Sequence, residues 1–494
     1  MKGSRAKRAK RPPDDKSKAE AKRDSSGLEG RDLGFRIALV LACFLFSGFA
    51  ALLYQTAWLR QFSIVFGTSE LAVATILAAY MGGLAVGAML AARFIPQVRR
   101  PILVYGALEA GIAVSALMVP WLLEGARSLF VFALGGAEEP QDSLGFAQLV
   151  YYLFATFGIL ALPTIFMGST LPLLVREVVK SEKTLGLHVA SLYATNTLGA
   201  VAGVIVAGFI LLPRIGLSGT VYVGVVINFA VFVLAVALSR FTSASPGTHT
   251  AGRTTSAAQL LEMNWRRIPV ILPVIAVSGA VSFTYEILWT RMLNHVLGGT
   301  IYAFATMLAA FLTGITIGSA LAGPFARTRE SAAKAFVIAQ LGVAVLSVVI
   351  YSLLDRMIPA DTNLVSGAVF AAVVMLPATL FIGATFPLAV RVLADGPATA
   401  PLATARTYYW NTGGAIIGSV CAGYFLIPAL GFAGAIKAAV GVNLLLALLV
   451  ASLACGVGRT LKVAGLASLV AFLALYHPER PSALISESSV MEQK

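Results

Sequence analysis

Polar side chains that could bind a solute or a proton lie inside long apolar stretches of this sequence. Glu109 and Gln340 hold equivalent places in two of these stretches, and Asn196 and Asn411 hold equivalent places in two others. A buried carboxyl or amide group needs a hydrogen-bond partner, because burying it unpaired in an apolar setting is costly. We therefore expect all four side chains to face the interior and to form one polar layer. That layer either joins neighbouring helices by hydrogen bonds or binds a substrate or a proton.

A second acidic residue, Glu286, lies near the end of another apolar stretch and beside an aromatic pair. Tyr285 and Trp289 are four residues apart, so they share one face of a helix. Aromatic residues at this depth are typical of a membrane–water interface. The alternative is a vestibule in which Tyr285, Glu286 and Trp289 hold a cation by charge and by cation–π attraction. These three residues join the polar layer as candidate substrate-binding residues.

The sequence has no motif for enzyme catalysis or for binding a metal or a cofactor. Its four histidines lack the spacing of metal ligands, and its three cysteines are far apart. We find no nucleophile triad and no glycine-rich phosphate loop. We predict that the chain is not an enzyme and holds neither a metal nor a cofactor.

Membrane-spanning helices must position these side chains. The 494 residues are 58% hydrophobic and 12% charged, whereas soluble domains carry about 25% charged residues. Uncharged runs of about 20 residues are long enough to cross a bilayer core, where only helices or closed barrels satisfy the backbone. The net charge of +14 is explained by basic loops at one membrane surface. The lipid bilayer is therefore the expected partner, and nucleic acid is not.

Thirteen helices account for the apolar pattern. The first six are predicted at roughly 35–59, 69–94, 101–123, 145–175, 188–212 and 216–240, the next six at 268–291, 300–325, 333–355, 363–391, 404–428 and 431–454, and a shorter one at 459–476. The chain then divides into a disordered basic cytoplasmic tail (1–33), a first six-helix repeat (34–240), a cytoplasmic linker (241–266), a second repeat (267–455), and an extra helix with a polar tail (456–494).

The two six-helix units are copies of one repeat. Ser47–Arg60 matches Ser278–Arg291 at an offset of 231 residues, and Phe166–Pro172 matches Phe381–Pro387 at an offset of 215. Each copy has an even number of helices, so both enter the membrane from the same side and the repeats are parallel. Transporters of the major facilitator superfamily (MFS) have halves related in this way. The predicted fold is an all-α polytopic membrane protein with two parallel six-helix repeats and a thirteenth helix.

Three motifs of the repeats resemble one protein family. They are Tyr-Glu-x-x-Trp-Thr-Arg at 285–291, Gly-x-Thr-x-Pro at 168–172 and 383–387, and Asn-Thr-x-Gly at 196–199 and 411–414. Over residues 35 to about 478 the chain resembles the membrane portion of fused MFS/spermidine synthase proteins. That family usually continues into a cytoplasmic aminopropyltransferase domain, whose glycine-rich nucleotide motif we do not find here. The resemblance implies a separately encoded aminopropyltransferase as a candidate partner.

Glycine and proline recur at matching places in the two repeats. Glycine pairs spaced by four residues predict close helix packing, or thin contacts that let helices slide during transport. These pairs are Gly83/Gly87, Gly314/Gly318, Gly199/Gly203 and Gly414/Gly418. The prolines predict kinks or breaks in the fourth and tenth helices, with freed carbonyls lining a cavity. They are Pro163, Pro172, Pro377 and Pro387.

Basic residues predict the orientation of the chain. Most Lys and Arg outside the first tail fall on the side that also holds the N-terminus, which places this side in the cytoplasm of a bacterium and the protein in its inner membrane. We expect a transporter-like protein that moves a small cationic metabolite, such as a polyamine, by alternating access. The alternatives are a non-transporting membrane anchor for an aminopropyltransferase and a structural membrane protein without a ligand.

Overall fold

The computed structural model describes residues 15–66, 70–133, 145–241, 270–359, 363–454 and 459–477. Every regular element in these ranges is helical. The first six α-helices are α1 (Asp15–Phe66), α2 (Glu70–Phe94), α3 (Pro101–Ala133), α4 (Gly145–Val178), α5 (Leu185–Val206) and α6 (Leu212–Phe241). The others are α7 (Ile271–Leu297), α8 (Ile301–Ala322), α9 (Arg329–Met357), α10 (Leu364–Leu393), α11 (Ala400–Cys421), α12 (Ile427–Ala454) and α13 (Arg459–Leu475).

Ten apolar helical stretches of the described chain give twelve membrane crossings. One stretch, 185–240, has 56 residues, so it would be about 84 Å long as a straight helix, far more than a ~30 Å bilayer core. It is bent at Gly216, where φ is 69°, and the equivalent stretch is bent at Gly431, where φ is 66°. Each of these two stretches is therefore two antiparallel helices joined by a glycine turn.

The bends require glycine because of backbone conformation and not because of space. A Cβ added at Gly216 or Gly431 would meet no atom within 4 Å, but a positive φ is strained for residues with a side chain. A five-residue π-helical segment precedes each bend, at Ala207–Leu211 and Ala422–Leu426. All these features repeat at an offset of 215 residues, so the two halves fold alike in detail.

The two halves have the same internal packing. In the first half α1 packs on α5, α2 on α4 and α3 on α6; in the second half α7 packs on α11, α8 on α10 and α9 on α12. The halves meet where α2 packs on α11 and α5 on α8. These pairs are related by exchange of the halves, as parallel repeats about an axis along the membrane normal require. The structure is thus the predicted all-α polytopic fold of two six-helix repeats, with α13 packed on α12.

We call the two ends of the bundle the basic end, formed by the loops at 179–184, 323–328 and 394–399, and the far end, formed by Gly216, Gly431 and residues 298–300.

Most helix bounds lie within a few residues of the predicted ones. The largest difference is α1, which begins at Asp15 instead of residue 35, because residues 15–23 are rich in the helix formers Lys, Ala and Glu and lack proline. Of the predicted disordered tail (1–33), residues 15–33 belong to α1 and residues 1–14 lie outside the described residues, as do residues 242–266 of the predicted linker (241–266).

The eight glycines of the spaced pairs lie where two helix backbones touch within one half. A Cβ at Gly83 or Gly87 would overlap with Thr164 or with the carbonyl oxygen of Ile165, so α2 and α4 are in close contact there. The same clash holds for Gly314 and Gly318 of α8 against α10, for Gly199 and Gly203 of α5 against α1, and for Gly414 and Gly418 of α11 against α7. These contacts fasten each half internally, and none of them joins the halves.

The prolines lie inside continuous helices. Pro163 and Pro172 are within α4, and Pro377 and Pro387 are within α10. The helices therefore run through the positions where the sequence predicts breaks. Hydroxyl groups bond to the neighbouring turns, as where Thr164 donates to the carbonyl of Leu160 at 2.6 Å, which fits the tolerance of proline in packed membrane helices. Ser169, Thr170 and Thr385 are buried near these prolines and do not line the cavity described below.

Candidate functional site

Glu109 is the centre of a buried polar network in the first half. Its carboxylate accepts a hydrogen bond from the Ser47 hydroxyl at 2.6 Å and another from the side-chain amide of Asn228. The Asn228 amide oxygen in turn accepts from the Tyr54 hydroxyl at 2.9 Å. Glu109 is fully buried, so α3 is tied to α1 and α6 through this one side chain.

Gln340 is the centre of the equivalent network in the second half. Its Nε2 donates to the Ser278 hydroxyl oxygen at 2.7 Å, and its Oε1 accepts from the Asn443 amide at 2.5 Å. Gln340 and Asn443 are buried. The Asn443 Oδ1 atom has no hydrogen-bond partner within the described part of the chain. The network therefore keeps the geometry of its counterpart but reverses the hydrogen bond to the serine.

The predicted polar layer is divided between the two halves. The Glu109 and Gln340 networks each lie inside one half, and none of their members lines the cavity between the halves described below. Asn196 donates to the Phe44 carbonyl at 3.1 Å, so it too bonds within the first half. Gly48 packs against Asn196, and Gly279 packs against Asn411 at the repeat-related place. In this conformation Glu109, Gln340 and Asn196 bond neighbouring helices to each other, and Asn411 packs against α7.

A cavity of about 440 Å³ lies between the halves at the far end. It is lined by residues of α1, α2, α7, α8 and α11 and of the π-helical segment that follows α11. Arg60, Asn294 and Thr300 on its wall are exposed, so the cavity opens to the far end. Its size falls in the range of small-molecule sites.

Charged, polar and apolar groups line this cavity together. The charged side chains are Arg60, Glu286 and Arg291. The hydroxyl and amide groups are those of Thr56, Ser63, Thr290, Asn294, Thr300, Ser419 and Tyr424, and the apolar wall is formed by Leu59, Leu77, Ile287, Ile301 and Phe304. Such a mixture suits a solute with an apolar body and charged or polar ends.

Of the three residues predicted around Glu286, only Glu286 faces the cavity. Tyr285 and Trp289 are at most 1% exposed and pack in the core of the second half. Their counterparts Tyr54 and Trp58 are equally buried and are stacked with ring centroids 5.0 Å apart. The aromatic pairs thus neither form an interfacial belt nor lie on the cavity wall, and the cavity has no aromatic face beside Glu286 from this pair.

The basic end of the same interface is closed by aromatic rings. Tyr193 of α5 stacks on Phe386 of α10 with centroids 4.5 Å apart, and Phe386 meets the edge of Tyr408 of α11 at 6.0 Å. Each ring lies seven or eight residues from the basic-end terminus of its helix, which is about 11 Å. Because Tyr193 comes from the first half and the others from the second, this cluster joins the halves.

An ion pair closes the interface nearer the surface. Arg391 at the end of α10 is buried, and its Nη2 lies 3.2 Å from the Glu182 carboxylate in the loop between α4 and α5. Its Nη1 donates to the Ala394 carbonyl at 3.1 Å. Arg329 and Asp395 form a second ion pair at this end, within the second half. Of the two, only the Glu182–Arg391 pair spans the halves.

A buried arginine lies close to this closed end. Arg406 of α11 is 8% exposed, and its Nη1 has no hydrogen-bond partner among the residues that the structure describes. A charged side chain inside the membrane region is costly, so it marks a position of functional interest.

Sequence reasoning missed several residues of these sites. Asn228 and Asn443 are single polar residues in apolar helices, and their shared offset of 215 residues was the available signal. Arg60 and Arg291 also match between repeats, but their position at helix ends favours a purely topological role. No local pattern indicates that Glu182 pairs with Arg391, since the two are 209 residues apart in the chain.

Comparison with solved structures identifies the fold. No protein-family model matches the chain, and no curated protein matches its sequence. Solved structures of MFS transporters match over 84% of this chain and 98% of theirs. They include the MFS transporter FucP in the outward conformation (15% identity, TM-score 0.51), a bacterial homologue of the iron transporter ferroportin in an outward-facing state (13%, 0.58) and the human organic anion transporter MFSD10 (13%, 0.51). The chain is therefore a multi-pass membrane protein with the MFS transporter fold.

Proposed function

We propose that this protein is a carrier that moves a small solute across the membrane by alternating access. One observation carries the proposal: the interface between the halves holds a solute-sized cavity at the far end, whereas at the basic end an aromatic stack and an ion pair join the halves. Rocking of one half against the other about that interface is how transporters built from repeats expose a central site to each side in turn.

The packing of the glycine pairs supports motion of whole halves. All four pairs bring together helices of the same half, so each half is suited to move as a rigid body. Side chains at the basic end, namely the Tyr193–Phe386 stack and the Glu182–Arg391 pair, join the halves and must part when that end opens.

We also propose the membrane and the orientation. The excess of Lys and Arg on the side of the N-terminus supports a bacterial inner membrane with the N-terminus in the cytoplasm. The cavity then faces away from the cytoplasm, and the basic end faces it. The solute would meet the cavity from outside the cell in this conformation.

The solute class expected from the sequence is a small cationic metabolite such as a polyamine. Glu286 on the cavity wall is the group that would attract it. Arg60 and Arg291 on the same wall oppose a polycation, because like charges repel strongly where water is partly excluded. The wall therefore favours a solute that carries an anionic group as well as, or instead of, an amine.

A membrane anchor for a separately encoded aminopropyltransferase is the second candidate. The resemblance of both repeats to the membrane portion of fused MFS/spermidine synthase proteins favours it. An anchor needs no opening of the basic end. This difference separates the two candidates experimentally without knowledge of the solute.

The test uses a reversible lock on the closed end. In a chain whose native cysteines are replaced, Glu182→Cys and Arg391→Cys are joined by a bifunctional thiol cross-linker that reductant cleaves. Proteoliposomes are then tested for uptake of polyamines, amino acids, organic acids and nucleosides. We expect saturable uptake of at least one class, which the cross-link abolishes and reductant restores. Uptake of none of these classes by the uncross-linked protein, or uptake that persists in the cross-linked protein, contradicts the carrier.

A further inference from the structure

Two opposite charges from opposite halves face the same cavity without neutralising each other. Arg60 belongs to α1 of the first half, and Glu286 belongs to α7 of the second. Within the described residues, neither side chain makes an ion pair or a hydrogen bond with another protein side chain. A cavity that keeps an unpaired cation and an unpaired anion can lower its free energy by binding a molecule that pairs with both.

The repeat makes this charge pair asymmetric. Arg60 corresponds to Arg291, so a guanidinium reaches the cavity from each half. Glu286 corresponds to Gln55, which does not line the cavity. The single carboxylate therefore gives the site a direction: an ammonium group is attracted to the α7 wall, and an anionic group is attracted to Arg60.

The positions of the two groups along the helices set the spacing of the solute charges. Glu286 is equivalent to position 55, five residues before Arg60 in the repeat, so its Cα lies about 7.5 Å deeper than that of Arg60. The Arg60 side chain is exposed at the mouth of the cavity, whereas Glu286 is half-buried. The amine of the solute thus enters first, and the anionic group stays nearer the mouth.

The apolar wall completes the site. Leu59 and Leu77 from the first half and Ile287 and Phe304 from the second lie beside the charged groups. Burying an aliphatic body against such side chains removes apolar surface from water and so favours binding. A polyamine, whose body carries cationic groups at intervals, would place a charge against these residues or against Arg60.

From these observations we propose that the cavity binds an amphoteric solute with an apolar body, its amine paired with Glu286 and its anionic group with Arg60. This assignment rests on the proposed carrier function and names its substrate class.

The test compares three probes that share one carbon chain. They are 6-aminohexanoate, hexanoate and hexylamine, with spermidine as the polyamine probe. Binding to the detergent-purified full chain is measured by calorimetry and by thermal shift, since a ligand of the folded state raises its stability. We expect 6-aminohexanoate to bind at least about tenfold more tightly than either singly charged probe, because it alone of the three can pair with both Glu286 and Arg60.

Two variants assign the charges to their partners. Arg60→Gln is expected to bind 6-aminohexanoate and hexylamine equally, and Glu286→Gln to bind 6-aminohexanoate and hexanoate equally. Arg214→Gln is the matched control, because Arg214 is an exposed arginine of α6 near the far end that does not line the cavity. It should keep the full wild-type preference. Since Arg60 is exposed and Gln55 already stands at the position equivalent to Glu286, both variants are expected to fold.

Several outcomes overturn the assignment. It is wrong if hexanoate, hexylamine or spermidine binds the wild type as tightly as 6-aminohexanoate, if no probe binds, or if either variant retains the wild-type preference. The carrier function fails separately, when 6-aminohexanoate binds as expected but neither it nor any other solute enters proteoliposomes. Uptake of a polyamine that is insensitive to Arg60→Gln would leave the carrier in place and reject the amphoteric substrate.

Discussion

Glu182→Gln is the sharpest perturbation of the closed end. Glu182 makes an ion pair with Arg391 across the halves, and its side chain is 62% exposed, whereas that of Arg391 is 5% exposed. Replacing the exposed partner leaves the contacts of Arg391 with the Arg327 and Ala394 carbonyls, which belong to its own half. The variant therefore weakens the bond between the halves with little effect on the folding of either half.

The size of the effect of Glu182→Gln follows from the solvent exposure of the ion pair. Solvent screens an ion pair with one largely exposed partner, so it contributes about 0.2–1 kcal/mol. The conformation open at the basic end should therefore become about 1.4 to 5 times more populated, because the population ratio changes exponentially with the free energy in units of RT, about 0.6 kcal/mol. The thermal unfolding temperature should change little.

Maleimide labelling of one buried cysteine measures that population. Thr404→Cys, in a chain without the native cysteines, is a suitable reporter because Thr404 is fully buried and lies one turn nearer the basic end than Tyr408. When opening is fast relative to labelling, the labelling rate is proportional to the open population. Glu330→Gln is the control, since the Glu330–Lys334 pair at the same end lies within one helix. Equal labelling rates in Glu182→Gln, Glu330→Gln and the parent would refute the conclusion that the Glu182–Arg391 pair holds the halves together at the basic end.

Further predictions concern packing, the polar networks and the bends, all measured by thermal or denaturant unfolding in detergent. Gly414→Ala should destabilise the protein by about 1–3 kcal/mol, because the added Cβ would overlap the Ala276 carbonyl. Its neighbour Gly413 has open space around it, so Gly413→Ala should stabilise the protein by up to about 1 kcal/mol. Equal effects of the two changes would contradict the packing argument. Glu109→Gln should be nearly neutral, because Gln340 already makes the equivalent hydrogen bonds in the second half. Glu109→Ala leaves the Ser47 and Asn228 side chains without their hydrogen-bond acceptor and should cost about 1–3 kcal/mol for each. Equal stability of the two variants would show that the network does not hold α3 in place. Gly431→Ala should cost about 1–2 kcal/mol from its positive φ alone, and Gly396→Ala, at a glycine with open space and without a positive φ, serves as its control. Arg406→Met should raise the unfolding temperature, since it removes a buried charge whose Nη1 is unpaired, and a fall would mean that the charge has a partner.

The sequence predicted the helices well because lipid-spanning segments leave little freedom. The second helix was expected at 69–94 and extends over Glu70–Phe94, since a run of apolar residues must cross the core as one helix. The repeat also predicted which elements correspond, and it placed the glycines of each close contact. Local periodicity could not show that α5 and α6 join without a loop, because the bend at Gly216 depends on one φ angle.

The candidate site was harder to predict, because the sequence of an apolar helix does not show which of its faces meets the membrane, the core of its own half or the other half. Tyr285 and Trp289 lie near a helix end, where a pattern cannot separate a membrane interface from the core of a half. The structure buries them in that core, and only their neighbour Glu286 reaches the cavity. Arg60 reaches the same cavity through the approach of α1 and α7 across the interface, a tertiary contact that no spacing within one helix encodes.

Differences between the two halves show where the chain departs from its own symmetry. Residues that pack helices are the same in both copies, such as Tyr54 and Tyr285 or Asn228 and Asn443. A cavity on the pseudo-symmetry axis with the same residues from both halves would present the same surface to both ends of a solute. Glu286, opposite Gln55 in the repeat, removes that equality and orients whatever binds. Glu109 and Gln340 also differ, yet both complete a buried network of the same shape. We therefore expect Glu109→Gln to leave solute binding unchanged and Glu286→Gln to change the solute specificity.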